Sequence, residues 1–247
     1  MKLSPPPRLD LSEIALFLDY DGTLVPYAAQ LWNPQRDPEL PALLDALFEG
    51  AGGATAIVSG RSVAEIDALI APARLPVSGT HGAELRRDPA GKIEVLFRSE
   101  AIDALAEVYR PLVAETAGLR LERKPLALAL HFQDRPDLEA EIVDHSLRIA
   151  AERPDVTAQL GNGLLEFKPA GADKGQAIVR FMETKPFVGR RPVFVGDDVS
   201  DEDGFAAVDG LGGVSIRVGP GETRAGRRLS DPAAVRIWLA GLTRRRA

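Results

Sequence analysis

One stretch near the amino terminus constrains the fold most, because an apolar run ends there in two carboxylates. The run Ile14–Leu18 has the length of a buried strand, Asp19 and Asp21 follow it at alternate positions, and Gly22 allows a sharp turn. In open α/β sheets, ligands bind at the carboxyl ends of the strands. Two carboxylates gathered in such a crevice are costly unless something positive compensates them. The stretch therefore predicts an α/β sheet with a divalent cation at one edge.

The same residues have simpler interpretations. An Asp-x-Asp-Gly sequence occurs in ordinary turns, because aspartate and glycine both favour turns. It also overlaps the start of a calcium-binding loop, although that pattern needs another acidic or amide residue before its glycine. Three later segments of the chain favour the chemical interpretation.

The amino-acid composition and net charge argue against several classes of function. The 247 residues contain no cysteine and three histidines, which excludes a disulfide framework, a thiolate nucleophile and a cysteine-bound zinc site. The formal net charge of −6 argues against nucleic acid or an anionic membrane as the main partner. We interpret the basic tail Arg244–Arg246 as a solvated terminus.

No feature of the sequence predicts a membrane protein. No apolar stretch approaches the roughly 20 residues that span a bilayer, and the start Met1–Pro7 lacks the apolar centre of a signal peptide. We expect a cytoplasmic enzyme that acts on a small molecule, with no nucleic acid or membrane partner and with a monomer favoured.

Alternating strand and helix patterns predict a Rossmann-like parallel sheet in two separated parts of the chain. After Gly82 the rhythm changes to hairpins and two long helices, which indicates an inserted α+β unit. We predict a catalytic core formed by residues 1–83 and 170–247, and an inserted cap at 84–169 that determines substrate specificity.

Four core segments place polar groups after a strand or at the start of a helix, where they would converge on one sheet edge. Each has an ordinary alternative: Ser59 could cap a helix, Lys174 could be solvated, and the acidic residues could be N-caps. Because all four segments are expected at the same sheet edge, a shared functional site explains them better than coincidence does. The segments are Asp19-x-Asp21, Ser59-Gly60-Arg61, Lys174, and Gly196-Asp197-Asp198 with Asp201.

Together these groups suit phosphoryl transfer, which requires mainly positioning and neutralisation of phosphoryl oxygens. Asp19 can act as the nucleophile, and Asp21 can protonate the leaving alcohol and then activate water. Lys174 and Ser59 can bind phosphoryl oxygens. The pattern Gly-x-x-x-x-Gly-Lys-Ser/Thr is absent from the sequence, which disfavours a nucleotide-dependent kinase.

The four segments, in this order, resemble the four motifs of the haloacid dehalogenase superfamily. Other segments resemble the trehalose-6-phosphate phosphatases within that superfamily, and the resemblance runs from about residue 14 to 240. These segments are Gly79–Glu84, Glu122-Arg123-Lys124, His131-Phe132, Glu166–Pro169 with Asp173-Lys174-Gly175, and Val199–Phe205.

The resemblance implies Mg²⁺-dependent hydrolysis of trehalose 6-phosphate through an aspartyl-phosphate on Asp19. It implies phosphate binding by Ser59, Gly60 and Lys174, with Asp201 supporting the metal ligands. The implied metal-binding residues are Asp19, Asp21 through its carbonyl, Asp197 and Asp198. The implied substrate-binding residues are Asp19, Tyr20, Asp21, Glu122, Lys124, Gln133, Asn162 and Glu166. His131 fits either a packed strand residue or a ligand contact.

Two departures from the family pattern leave the sugar open. Gln133 stands where the family often has arginine, and Asn162 stands where it often has lysine. Each change removes a cation and retains a hydrogen-bonding side chain, at a cost of about 1–3 kcal/mol in binding. The alternatives are another sugar phosphate, such as sucrose 6-phosphate or a glycosyl phosphoglycerate, a sugar phosphomutase, or a non-catalytic sugar-phosphate sensor.

Overall fold

A computed structural model describes residues 4–27 and 34–244 and divides the chain into two compact units. The split unit comprises residues 1–94 and 173–247, and the inserted unit comprises residues 95–172. The first three residues of the sequence and most of the arginine tail (residues 245–247) lie outside the described part. The boundaries depend on which strands pair with which, as described below.

The described residues form twelve strands and seven helices. In chain order they are β1 (Ile14–Leu18), α1 (Leu40–Gly50), β2 (Thr55–Val58), α2 (Val63–Ile70), β3 (Val77–Gly79), β4 (Glu84–Arg86), β5 (Glu94–Val95), α3 (Ala101–Glu115), β6 (Arg120–Arg123), β7 (Leu128–His131), α4 (Glu139–Ala151), β8 (Val156–Gly161), β9 (Leu164–Pro169), α5 (Lys174–Met182), β10 (Arg191–Gly196), α6 (Glu202–Gly210), β11 (Val214–Val218), β12 (Arg227–Leu229) and α7 (Pro232–Thr243).

The split unit is built on an eight-stranded sheet with the order β12-β11-β10-β1-β2-β3-β4-β5. Every pair from β12 to β3 is parallel, whereas β3 and β4 are antiparallel. The predicted α/β class with a parallel sheet is confirmed. Because β10, β1 and β2 are neighbours and run in the same direction, their carboxyl ends meet at one edge of the sheet.

The central strands β1 and β2 are buried because helices cover both faces of a parallel sheet. All five residues of β1 and all four of β2 are buried. Phe17 of β1 packs with Phe181 of α5 and Phe187, with ring centroids 5.0 to 5.8 Å apart. This packing anchors β1, so the position of the residue that follows the strand is well defined.

The inserted unit is a four-stranded antiparallel sheet with the order β6-β7-β9-β8. Successive side chains of a strand point to opposite faces, and here one face is apolar. Its residues pack with helices α3 and α4 in a cluster that includes Leu128, Leu130, Phe132, Leu165 and Phe167. The opposite face carries polar side chains, and it is the part of this unit that concerns function.

One predicted boundary differs from the structure. The sequence interpretation began the insertion at residue 84, yet Glu84–Arg86 pairs with β3 and lies in the split unit. The sequence predicted hairpins after Gly82, but a hairpin pattern does not reveal which sheet its strands join. Strand β12 was not anticipated, since Arg227–Leu229 lacks an apolar run. No helix among the described residues is long and apolar enough to cross a membrane.

Candidate active site

Three of the predicted site residues lie directly after neighbouring parallel strands. Asp19 follows β1, Ser59 follows β2 and Asp197 follows β10. Leu18 is in register with Val195 of β10 and with Ile57 of β2, so the three strands end at nearly the same level. The sheet edge predicted from the sequence therefore brings these three residues together.

The turn after β1 lies very close to the loop that follows β10. Gly22 has φ +78°, and a Cβ atom there would lie 2.2 Å from Oδ2 of Asp197. The position therefore needs glycine both for its backbone conformation and for space. Thr23 Oγ1 donates to Oδ1 of Asp197 at 2.9 Å, and the Tyr27 side chain also hydrogen-bonds Asp197. Sequence reasoning had not assigned these two hydroxyl groups.

Lys174 supplies the positive charge of the site. It is the first residue of α5, whose N-cap Asp173 accepts a hydrogen bond from the amide of Gln176. The Nζ atom donates to Oδ1 of Asp19 at 2.9 Å and to Oδ1 of Asp201 at 2.7 Å. The ammonium is almost completely buried, and the charges of the two carboxylates keep it protonated, raising its pKa despite burial. Lys174 is therefore a structural counterion of the carboxylates.

Three carboxylates gather around this lysine. Oxygens of Asp19, Asp197 and Asp201 all lie within 4.8 Å of one another. Burial, together with the nearby carboxylates, raises the pKa of Asp19 well above its ordinary value and that of Asp197 to about 6. Three negative charges and one positive charge leave a formal balance of −2 when all are ionised. This residual charge, held in a buried place, favours a bound cation.

The contacts of Asp198 and Asp201 differ from the roles that the sequence suggested for them. Asp201 is fully buried and accepts from the amides of Asp197 and Asp198 through Oδ2, at 2.9 Å each. The side chain of Asp198 instead accepts from the amide of Val199 at 2.7 Å and caps the short helical turn that follows. Asp198 was predicted as a metal-binding residue, but the structure groups Asp201 with Asp19 and Asp197, because the Asp198 carboxylate caps the following turn.

The donor set fits a hard divalent cation. Carboxylate and carbonyl oxygens are the ligands that Mg²⁺ prefers, and the carboxylates of Asp19, Asp197 and Asp201 supply a surplus of negative charge. Asp201 already uses one oxygen for Lys174 and the other for two amides. Asp19 and Asp197 are consequently the carboxylates best placed to bind the ion directly, with Asp201 holding the loop.

Asp21 is held by an arginine. Arg61 donates from Nε to Oδ2 of Asp21 at 2.6 Å and from Nη2 to Oδ1 at 2.8 Å, and the guanidinium is largely buried. Bidentate pairing of this kind fixes the orientation of a carboxylate. The sequence interpretation included Arg61 in a motif but gave it no role. The identity of its partner depends on β1 and β2 being neighbours.

Ser59 and Gly60 form a tight turn before α2. Ser59 Oγ accepts from the amide of Arg61 at 3.1 Å, which leaves its own hydroxyl hydrogen to be donated elsewhere. Ser62, not Ser59, is the N-cap of α2. A Cβ atom at Gly60 would lie 2.5 Å from Nε2 of His81, so this glycine permits close packing. The helix-cap alternative for Ser59 is therefore wrong.

Tyr20 is oriented differently from the other predicted substrate-binding residues. Its side chain is fully buried, so in this conformation it is not exposed to a ligand. Its carbonyl oxygen accepts from the amides of Leu24 at 2.9 Å and Val25 at 3.2 Å, which closes the turn after β1.

In the inserted unit, three predicted substrate-binding residues share the polar face. Glu122 is in register with Ala129, and Ala129 is in register with Glu166. Lys124 Nζ donates to Oε2 of Glu166 at 3.1 Å. His131 contacts Oε2 of Glu122 at 2.7 Å through Nε2. Two carboxylates, one ammonium and one imidazole therefore lie together on one surface of this sheet.

Gln133 and Asn162 lie at one end of that sheet. Asn162 is exposed in the turn between β8 and β9. The neighbouring Gly163 approaches Gln133 so closely that a Cβ atom there would lie 2.4 Å from Cγ of Gln133. The two positions that depart from the family pattern are therefore neighbours, separated from Lys124 by the length of strand β9.

Comparison with known proteins shows the family of this chain. The sequence matches the family model "Trehalose-phosphatase" over residues 17–232. It is 40% identical to the trehalose-6-phosphate phosphatase of Escherichia coli (strain K12) over 246 residues, which is 98% of this chain and 90% of that protein. It is 41% identical to a probable trehalose-phosphate phosphatase of Sinorhizobium fredii over 213 residues, covering 85% and 80% of the two chains.

Solved structures give the same result for the fold. The C-terminal domain of a Candida albicans trehalose-6-phosphate phosphatase superimposes with a TM-score of 0.86 at 24% identity, covering 98% of both chains. A haloacid dehalogenase-like hydrolase from Bacillus subtilis superimposes with a TM-score of 0.66 at 14% identity, covering 92% and 99%. The class is thus a phosphoric monoester hydrolase with the haloacid dehalogenase-type fold. Within that class, the chain belongs to the trehalose-phosphatase family.

Proposed function

We propose that this protein hydrolyses trehalose 6-phosphate to trehalose and phosphate through a phosphorylated Asp19. The observation that carries the proposal is the position of Asp19 at the end of β1, with Lys174 Nζ at 2.9 Å and the carboxylates of Asp197 and Asp201 beside it. The relatives that are 40% and 41% identical bear names that specify this substrate. The cytoplasmic location and the monomeric state stay predictions.

In the first step, an oxygen of Asp19 attacks the phosphorus atom and the bond from phosphorus to the sugar oxygen breaks. Asp21, protonated and released from Arg61, donates its proton to the departing sugar oxygen. In the second step, a water molecule attacks the phosphorus, Asp21 takes one proton of that water, and the bond from phosphorus to Asp19 breaks. The products are trehalose and phosphate, and both carboxyl groups return to their starting states.

The remaining groups neutralise and position the phosphoryl oxygens. Lys174 compensates negative charge, while the Ser59 hydroxyl and the amide of Gly60 donate to a phosphoryl oxygen. Mg²⁺, held by Asp19, the carbonyl of Asp21 and Asp197, would screen the phosphoryl charge from the attacking carboxylate. Asp198 and Asp201 would support that set. We assign sugar binding to Glu122, Lys124 and Glu166, since charged groups form strong hydrogen bonds with hydroxyls.

The first experiment measures phosphate release from trehalose 6-phosphate and from a panel of sugar phosphates, with and without Mg²⁺. We expect Mg²⁺-dependent hydrolysis with a preference for trehalose 6-phosphate. The same reaction with Asp21→Asn, stopped by acid and followed by intact mass spectrometry, should reveal a chain heavier by one phosphoryl group. Hydrolysis by the unchanged protein with no phosphorylated chain in either form would contradict the covalent route.

A second candidate is a phosphatase of another sugar phosphate. Gln133 and Asn162, which lie near each other in the inserted unit, favour it because both lack the charge common in the family. Sucrose 6-phosphate and a glycosyl phosphoglycerate belong in the panel for this reason. Preference for either would keep the chemistry at Asp19 and change the assignment of the sugar.

A further inference from the structure

The polar face of the inserted unit has an ordered arrangement. Register places Glu122, Ala129, Glu166 and Gln159 in one row across strands β6, β7, β9 and β8. Residues in register on neighbouring strands point to the same face. The small side chain of Ala129 separates the two carboxylates, so the row presents two acceptors and one amide around a flat centre.

Each carboxylate of the row is held by one donor from a neighbouring position. Lys124 donates to Glu166 at 3.1 Å, and His131 contacts Glu122 at 2.7 Å. A carboxylate only accepts hydrogen bonds, so Nε2 of His131 carries the proton and donates it. His131 lies on the same face as Ala129, two residues further along β7, which makes it a diagonal neighbour of Glu122.

The donor from His131 is rigid, whereas Glu122 would otherwise be flexible. His131 is buried, with 2% of its surface exposed. Glu122 has three rotatable side-chain bonds, and ordering such a side chain costs conformational entropy when a ligand binds. A carboxylate that is already held in one orientation loses less conformational entropy when the ligand binds. The hydrogen bond uses Oε2 of Glu122, and Oε1 remains to accept from a ligand hydroxyl.

Electrostatics supports the same role. Burial acts to raise the pKa of Glu122, but the hydrogen bond from His131 and the charge of Lys124 outweigh it and lower the pKa. Glu122 is consequently ionised near neutral pH, the state in which it accepts the strongest hydrogen bonds. A neutral carboxyl group would offer one donor and a weaker acceptor.

We propose that His131 is a positioning residue for sugar recognition: by its hydrogen bond it holds Glu122 in the orientation that accepts a hydroxyl of a neutral pyranose ring. This inference rests on the proposed role of Glu122 in substrate binding. His131 acts through Glu122 and requires no contact of its own with the substrate. Sequence reasoning left its role open, since a packed strand residue and a ligand contact both fitted the pattern.

The test compares two substitutions that differ in the hydrogen-bond donor. His131→Met keeps similar volume and removes the donor, whereas His131→Gln places an amide nitrogen near the position of Nε2. We expect His131→Met to raise KM for trehalose 6-phosphate about 5- to 30-fold with little change in kcat, the loss of a charge-assisted hydrogen bond. His131→Gln should recover most of that loss.

Two controls separate this role from a structural one. Hydrolysis of 4-nitrophenyl phosphate, which has no sugar, should be unchanged in both variants. His145→Met makes the same substitution at an exposed position of α4 in the same unit, and should leave KM unchanged. An equal loss of activity on both substrates, or failure of glutamine to recover KM, would overturn the inference.

Glu122→Gln, alone and combined with His131→Met, distinguishes the two levels of the proposal. If Glu122→Gln leaves KM unchanged, the proposed role of Glu122 is wrong, and the inference fails with it. If Glu122→Gln raises KM but His131→Met does not, only the inference about His131 is wrong. If His131 acts through Glu122, the double variant should be no worse than Glu122→Gln alone.

Discussion

The two polar clusters of this protein differ in how their charges are balanced. At the sheet edge of the split unit, Asp19, Asp197 and Asp201 face one ammonium from Lys174, a formal balance of −2. On the polar face of the inserted unit, Lys124 donates to Glu166 and His131 contacts Glu122. The first cluster has three carboxylates for one cation, whereas each carboxylate of the second has a donor of its own.

This difference indicates what each cluster can bind. A buried surplus of negative charge favours a cation and, through it, an anionic phosphoryl group. Carboxylates that are already paired with donors suit a neutral polyol, since its hydroxyls can exchange hydrogen bonds with them without adding charge. We therefore propose that the split unit carries the phosphate chemistry and that the inserted unit recognises the sugar. Four experiments test this division of roles.

The largest effect should come from Asp19. Asp19→Asn removes the proposed nucleophile, so kcat should fall by at least about a thousandfold on trehalose 6-phosphate and on 4-nitrophenyl phosphate alike. Asp45→Asn is the matched control, because it makes the same substitution at an exposed position of α1 in the same unit; its activity should be unchanged. Circular dichroism checks that both variants fold. Comparable losses in both variants would contradict the placement of the chemistry at Asp19.

A smaller, substrate-dependent effect is expected at Arg61. Arg61→Met removes the two hydrogen bonds that orient Asp21. General acid catalysis contributes about 10²–10⁴-fold, and we expect loss of orientation to reduce kcat for trehalose 6-phosphate by about 10- to 100-fold. Nitrophenolate departs without a proton, so the first step with 4-nitrophenyl phosphate should be affected much less in a stopped-flow burst. Equal effects on both substrates would mean that Arg61 has only a structural role.

A substitution on the polar face of the inserted unit should weaken substrate binding and leave the chemical step unchanged. Lys124→Met removes the donor to Glu166 and should raise KM for trehalose 6-phosphate about 5- to 30-fold, with 4-nitrophenyl phosphate unaffected. Lys92→Met, outside both clusters, is the control. A fall in kcat on both substrates would break the proposed division between the two units.

The smallest effect concerns stability. Burial raises the pKa of Asp197 to about 6, above its ordinary value near 3.9 in an unfolded chain. The folded form therefore binds the proton more tightly, and stability from this group is lost as pH rises from about 4 through 6. A bound cation opposes that loss. We expect Mg²⁺ to raise the unfolding temperature by a few degrees, and more at pH 7.5 than at pH 5.

Calorimetry at the two pH values, with and without Mg²⁺, measures this difference. Asp197→Asn removes the titrating group and should reduce the dependence of the Mg²⁺ effect on pH. A larger increase in unfolding temperature from Mg²⁺ at pH 5 than at pH 7.5 would contradict the expectation that the ionised, buried carboxylates destabilise the protein.

Much of the core site could be predicted because its positions follow local rules. An apolar strand that ends in a carboxylate, a glycine at a tight turn, and a lysine at a helix start are patterns confined to a few residues. Asp19, Ser59 and Asp197 indeed follow three neighbouring strands. The choice between Asp198 and Asp201 could not be made this way, because the short helical turn that follows decides which carboxylate points inward.

Partners distant in sequence were harder to predict. The pairing of Arg61 with Asp21 requires β1 and β2 to be neighbours, and that of His131 with Glu122 requires β6 and β7 to pair in one register. The boundary of the insertion was misplaced for a related reason, since Glu84–Arg86 joins a strand whose identity no local pattern reveals. Local sequence indicates that a strand exists, whereas pairing is a long-range property.

Short sequence patterns were sufficient to predict the class of fold and the family, because alternating apolar runs and motifs lie within a few residues of one another. The three-dimensional arrangement was needed to see which carboxylates share Lys174, which arginine holds Asp21, and that His131 contacts Glu122. The physical reason is that a charged side chain finds its partner through space, after the strands have paired. Before the strands have paired, the partner that offsets the cost of burying that charge is not defined.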